Sequence, residues 1–116
     1  MENEKVITIP APAEQEAEPE PETLVKFSRP YTFEGNTYRE VDLDQMDSLS
    51  AQDMVAAEKY LFKSGIISPL PDMTVEYICF IASKASDLPM EFFKGLQPKD
   101  MNRVKNKVTG FFYGED

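Results

Sequence analysis

The stretch Met73–Ala85 constrains the fold most, because it alone reads apolar on nearly every side. Eight of its first ten residues, Met73–Ala82, are apolar, the exceptions being Thr74 and Glu76. A helix that is apolar all round has to be covered on several faces, by the rest of a domain or by lipid. The run ends at Ser83-Lys84, far short of the roughly 20 residues a membrane span needs. It therefore reads as the buried central helix of a soluble domain, with Asp72 ahead of it as the expected N-cap.

Charge divides the 116 residues into two parts. Residues 1–23 carry seven acids against one base, a net of −6, while the remaining 93 carry 14 acids and 11 bases, a net of −3. Pro10, Pro12, Pro19 and Pro21 alternate there with Ala and Glu. Such a segment lacks the apolar surface that would offset ordering entropy, so a disordered acidic tail is expected over 1–23. It serves either as a solvating tail or as an arm competing for a basic partner. Residues 24–116 are expected to form a single globular domain, large enough for one modest core. A polyanionic chain repels phosphates, which argues against nucleic acid.

The chain contains no histidine, which removes Ser-His-Asp and Cys-His nucleophile systems and every His-containing metal site. Cys79, the single cysteine, lies within the apolar run and reads as a small hydrophobe. Asp42, Asp44 and Asp47 suggest a calcium loop, but its fifth and sixth positions would be Met46 and Asp47, where a glycine is needed at the sixth. No phosphate-cradling glycine loop and no CxxC pair occurs. No enzyme, no cofactor and no metal site is expected, and the lack of an apolar leader suggests a cytoplasmic setting.

Leu24–Leu43 reads as a β-hairpin, with Val25, Phe27, Tyr31 and Phe33 on alternate positions. Pro30 marks a bend or an edge. Gly35 at the first central position of Glu34-Gly35-Asn36-Thr37 suits a type II′ turn, a register that sets Phe33 opposite Tyr38 and Arg29 opposite Asp42. Ser50 then caps a helix with Met54, Ala57 and Leu61 inward and Gly65 ending it. Glu58 borders that stripe, with Arg103 or Lys59 as its expected partner. After the central helix, Pro89 fits the first position of a short element bearing Met90, Phe92 and Phe93. A last helix runs from Pro98 to about Phe112, with Met101, Val104, Val108 and Phe111 along one side and Lys99, Arg103, Lys105 and Lys107 along the other. That basic side is either a solvated face or a surface for an acidic helix or the chain's own Glu-rich tail. The fold class is α+β: an N-terminal β-hairpin followed by a small bundle of three to four helices.

In order and spacing, Tyr31-Thr32-Phe33-Glu34-Gly35-Asn36, Val41-Asp42-Leu43, Leu49–Met54, Ala57-Glu58-Lys59 and Leu96–Phe112 resemble the small tail assembly chaperones of tailed bacteriophages, the E-protein type of contractile tails. The resemblance spans about 90 residues and leaves the acidic tail without a role. It implies a non-enzymatic assembly factor that binds the phage tape-measure protein, a long amphipathic helix, and keeps it soluble for tail tube assembly. The tail tube protein and a frameshifted longer form of the chain are the further partners it implies; no membrane is involved.

Exposed apolar groups on the last two helices are the expected partner-binding residues: Phe92, Phe93, Phe111, Phe112 and Tyr113. For each singly, core packing is the competing reading. The rival function is a small non-enzymatic regulatory or structural adaptor, such as a virion component.

Overall fold

A computed structural model describes residues 22–114. The hairpin comes first. Strands β1 (Leu24–Phe33) and β2 (Asn36–Asp42) pair antiparallel, with Leu24 opposite Asp42, Val25 opposite Val41 and Lys26 opposite Glu40. The register then shifts, and pairing resumes with Tyr31 opposite Tyr38. Four residues of β1, Phe27–Pro30, thus stand against the single Arg39 of β2. Pro30, with no N–H to offer a ladder, falls in this bulge as expected.

The bulge and the turn correct the expected register. Glu34 and Gly35 form the two-residue loop, both with positive φ (50° and 84°), which is the type I′ pattern. The central pair therefore lies one residue earlier than a type II′ turn with Gly35 first. Phe33 faces Asn36 rather than Tyr38, and Asp42 faces Leu24 rather than Arg29. A slip of one residue would move side chains to the other face; the observed register directs Tyr31, Phe33 and Tyr38 to the same side, onto Phe92.

Four α-helices follow, with a 3-10 turn at Met46–Ser48 ahead of them. Helix α1 (Ala51–Lys63) starts at the expected cap: the Ser50 side chain accepts from the Gln52 amide, and the Asp53 carboxylate accepts from the Ser50 N–H at 2.9 Å. Ala57 and Leu61 are buried, and Gly65 follows at φ 78°. The central helix α2 (Val75–Ser86) begins two residues later than Met73, because Pro71–Met73 forms a 3-10 turn. Its N-cap is Thr74, not Asp72: the Thr74 hydroxyl oxygen accepts from the Tyr77 N–H at 3.2 Å. Thr74 has the extended backbone a cap requires (φ −79°, ψ 150°).

As the apolar run implied, α2 is the centre of the fold. Tyr77, Ile78, Cys79, Ile81, Ala82 and Ala85 are buried, and α1, α3 (Met90–Lys94) and α4 (Pro98–Tyr113) all pack against it. Pro89 caps α3 rather than occupying its first turn. Helix α4 buries Met101, Val104 and Val108 and also lies against β1. No described helix is long and apolar enough to cross a membrane. The acidic tail expected over 1–23 lies outside the described residues up to position 21; Glu22 and Thr23 form a turn into β1.

Candidate partner-binding surface

Phe92 and Phe93 are not surface residues. Both are fully buried, and Phe92 gathers the aromatic face of the hairpin: its ring centroid lies 6.2 Å from Phe27, 5.1 Å from Tyr31, 5.3 Å from Phe33 and 4.8 Å from Tyr38. The Tyr31 hydroxyl also donates to the Phe92 carbonyl at 2.8 Å. A two-stranded hairpin is marginal alone; this one is held by laying its rings on α3. The expectation that Phe92 and Phe93 face a partner is corrected accordingly.

The end of α4 is different. Phe111 and Phe112 are half-buried and Tyr113 is exposed. The two phenylalanines line a shallow groove with Met46, Leu49, Met54 and Ile81. The Tyr113 hydroxyl donates to the Asp72 carboxylate, and that hydrogen bond raises the tyrosine's pKa. It also ties the last turn of α4 to the connection between α1 and α2.

That connection carries what the sequence reading passed over. Among the described residues the exposed large hydrophobics are Val55, Phe62, Ile67, Leu70, Met73, Val75 and Tyr113, and five of them fall between positions 62 and 75. Ile67 is 92% and Phe62 81% exposed. On α1, Val55 and Phe62 lie seven residues apart on the face opposite Ala57 and Leu61, and line a shallow depression with Glu58, Lys59 and Lys63. Scattered exposed hydrophobics are ordinary; five within fourteen positions are a concentration along the chain. The available signal was Ile66-Ile67 and Leu70 standing among Gly65, Ser68, Pro69 and Pro71: large apolar residues in a segment with no period to bury them.

Several polar groups of the fold are engaged with one another. Lys94 bridges Glu76 at 3.0 Å and donates to the Tyr60 hydroxyl at 3.2 Å; the hydrogen bond to Glu76 is the main cause of its raised pKa. Glu58 is exposed, and Arg103 reaches not Glu58 but the Lys26 carbonyl, at 2.9 Å. Buried Asp100 accepts both the Ser28 N–H and the Ser28 hydroxyl. Burial pushes the Cys79 thiol up to about 11, away from the thiolate a nucleophile needs. Among the described residues no group of three or more His, Cys, Asp or Glu is placed to hold a metal.

Residues 24–113 match the family model described as phage tail assembly chaperone proteins, E, or 41 or 14. No curated protein and no solved structure matches the chain.

Proposed function

The chain belongs to the phage tail assembly chaperone family, and from that premise we propose that it binds the phage tape-measure protein and keeps it soluble until the tail tube is assembled around it. The observation that supports this reading is the concentration of exposed apolar side chains between Phe62 and Val75, joined to the end of α4 through Tyr113 and Asp72. An amphipathic helix of a long partner needs a surface that takes its apolar stripe at i, i+3, i+4 and i+7. Phe62, Ile67, Leu70, Met73, Phe111, Phe112 and Tyr113 are the residues we assign to it. A chain of net charge −9 keeps such a complex soluble by mutual repulsion.

The proposed role is non-enzymatic and is exercised in the host cytoplasm, with the tail tube protein and a frameshifted longer form of the chain as further proposed partners. Co-expression with the tape-measure protein of the same genome tests it. The expected result is a tape-measure protein that moves into the soluble fraction and co-purifies with this chain, and a chain missing from sedimented mature tails. A tape-measure protein left insoluble and unbound by both this chain and its longer form would sink the proposal. Co-sedimentation of the chain with finished tails would favour a virion component.

A further inference from the structure

A second groove runs along the outer side of α4. It is lined by Arg103, Asn106, Lys107, Gly110 and Phe111, and on the opposite wall by Glu22 and Asp47. Glu22 is the residue through which the N-terminal segment joins the fold. Its departure point is fixed, because the Leu43 amide donates to the Thr23 carbonyl at 2.9 Å and the Thr23 hydroxyl donates to Asp42. We propose that residues 1–21 dock in this groove, Glu residues on the Lys99–Arg103–Lys107 stripe, and compete there with the partner for Phe111.

Charge and spacing both carry the proposal. Residues 1–21 hold six acids and one base. The wall they meet presents Arg103 and Lys107, four residues apart, and Lys99 lies one further turn along the same side of α4, beyond the groove's lining. Glu22 and Asp47 are the opposing acids on the groove's wall, and the Asp100 carboxylate is turned inward and satisfied by Ser28. Acids recur at every second position from Glu14 to Glu22. Two residues of extended chain advance about 6.6 Å, and four residues of α-helix about 6 Å. Successive glutamates thus keep step with successive cations of the stripe. The floor is open for a chain to pass: a Cβ placed on Gly110 would meet nothing within 4 Å.

Tethering makes the encounter intramolecular, so weak individual ion pairs suffice. The docking is shallow, screened by salt and displaceable. Its consequence for the tape-measure protein rests on the proposed function; the docking itself does not.

The test uses the full chain without any partner. Ala17→Cys receives a nitroxide spin label, while Cys79, buried and with its thiol pushed up to about 11, stays unmodified. At about 0.02 M salt the amide signals of Asn106, Lys107, Gly110 and Phe111 are expected to lose more than half their intensity, and at about 0.5 M to regain it. The same recovery is expected at low salt when Glu14, Glu16, Glu18 and Glu20 are all replaced by Gln. Unshifted amide signals elsewhere in the domain serve as the control that the replaced chain is still folded. Full intensity of the four signals at low salt would overturn the proposal. So would bleaching that persists through both high salt and the Gln replacements, since the contact would then not be electrostatic.

Discussion

Asp100, at the third position of α4, holds the main chain of Ser28 in the β1 bulge: the Ser28 N–H donates to one carboxylate oxygen at 2.8 Å and its hydroxyl to the other at 3.2 Å. The bulge withdraws that N–H from the ladder, and hydrogen bonds to a charged acceptor contribute about 1.5–3 kcal/mol; here the acceptor, Asp100, is buried. Asp100→Ala is therefore expected to lower stability by about 2–3 kcal/mol in urea unfolding. Asp100→Asn, which keeps one acceptor for the amide, should cost clearly less. Equal losses for the two variants would show that the ionised carboxylate with both its acceptors, rather than a single neutral acceptor or the packing, carries the stabilisation, because Asn keeps the volume of Asp.

Gly95 and Tyr31 are close enough to be coupled. A Cβ at Gly95 would lie 2.5 Å from the Tyr31 hydroxyl oxygen and 3.5 Å from the ring carbon that carries it. Gly95→Ala alone should destabilise by about 1–2 kcal/mol, since the ring has to shift and release the Phe92 carbonyl. In a Tyr31→Phe background the offending atom is gone, and Gly95 has an ordinary right-handed backbone (φ −87°). There the same change is expected to be neutral or stabilising, by the lower entropy of the unfolded chain. A double-mutant cycle reads the sign reversal directly.

The Tyr77 hydroxyl is fully buried and has no hydrogen-bond partner among the described residues. Removing an unsatisfied polar atom without changing the ring relieves its desolvation cost. Tyr77→Phe is expected to raise the unfolding free energy by about 1 kcal/mol, measured by urea or thermal melting. A loss of stability would reveal a partner for that hydroxyl, such as an ordered water.

Stability should fall on the alkaline side. Burial, reinforced by the negative charge of Glu58, pushes Tyr77 from 10.0 up to about 12, and burial pushes Cys79 from 9.0 up to about 11. Both protons are held more tightly folded than unfolded, so their contribution is full below the unfolded values. It is lost as pH rises through 9 to 11 for Cys79 and 10 to 12 for Tyr77, because the unfolded chain releases its protons first. Urea midpoints between pH 8 and 11.5 should decline, and Tyr77→Phe should flatten the upper part of the decline.

Exposed and buried apolar residues should separate in their effects. Phe62→Ser and Ile67→Ser, at 81% and 92% exposure, are expected to change stability by no more than about 0.5 kcal/mol. They should nonetheless reduce the amount of tape-measure protein recovered in solution. Phe92→Ala should cost about 3–5 kcal/mol and act on binding only through unfolding. If Phe62→Ser and Ile67→Ser leave recovery unchanged, the partner surface lies elsewhere, with the Phe111–Phe112 groove next to be tested.

Much of the architecture was readable residue by residue. The Ser50 cap, the Ala57–Leu61 stripe, the Gly65 stop and the Met101–Val104–Val108 face of α4 all depend on local chemistry and on a period of 3.6. The α2 boundary was less accessible. Asp72 and Thr74 are both good capping residues, and which one caps depended on the 3-10 turn begun at Pro71. The site was legible only in part: Phe92 and Phe93 belong to the core, whereas Phe62, Ile67 and Leu70, which keep no period, are the ones left outside.

The sequence by itself determined which segments fold and which one had to be central. An apolar run such as Tyr77–Ala82 cannot be left in water, and periodicity together with turn residues is a property of near neighbours along the chain. Only the tertiary structure decided the hairpin register and the exposure of individual aromatic residues. The bulge at Phe27–Pro30 exists where Asp100, 72 residues further on, can take the Ser28 amide, and Phe92 is interior because four rings of a distant hairpin lie on it. Both outcomes rest on contacts between residues far apart in sequence, which local pattern does not encode.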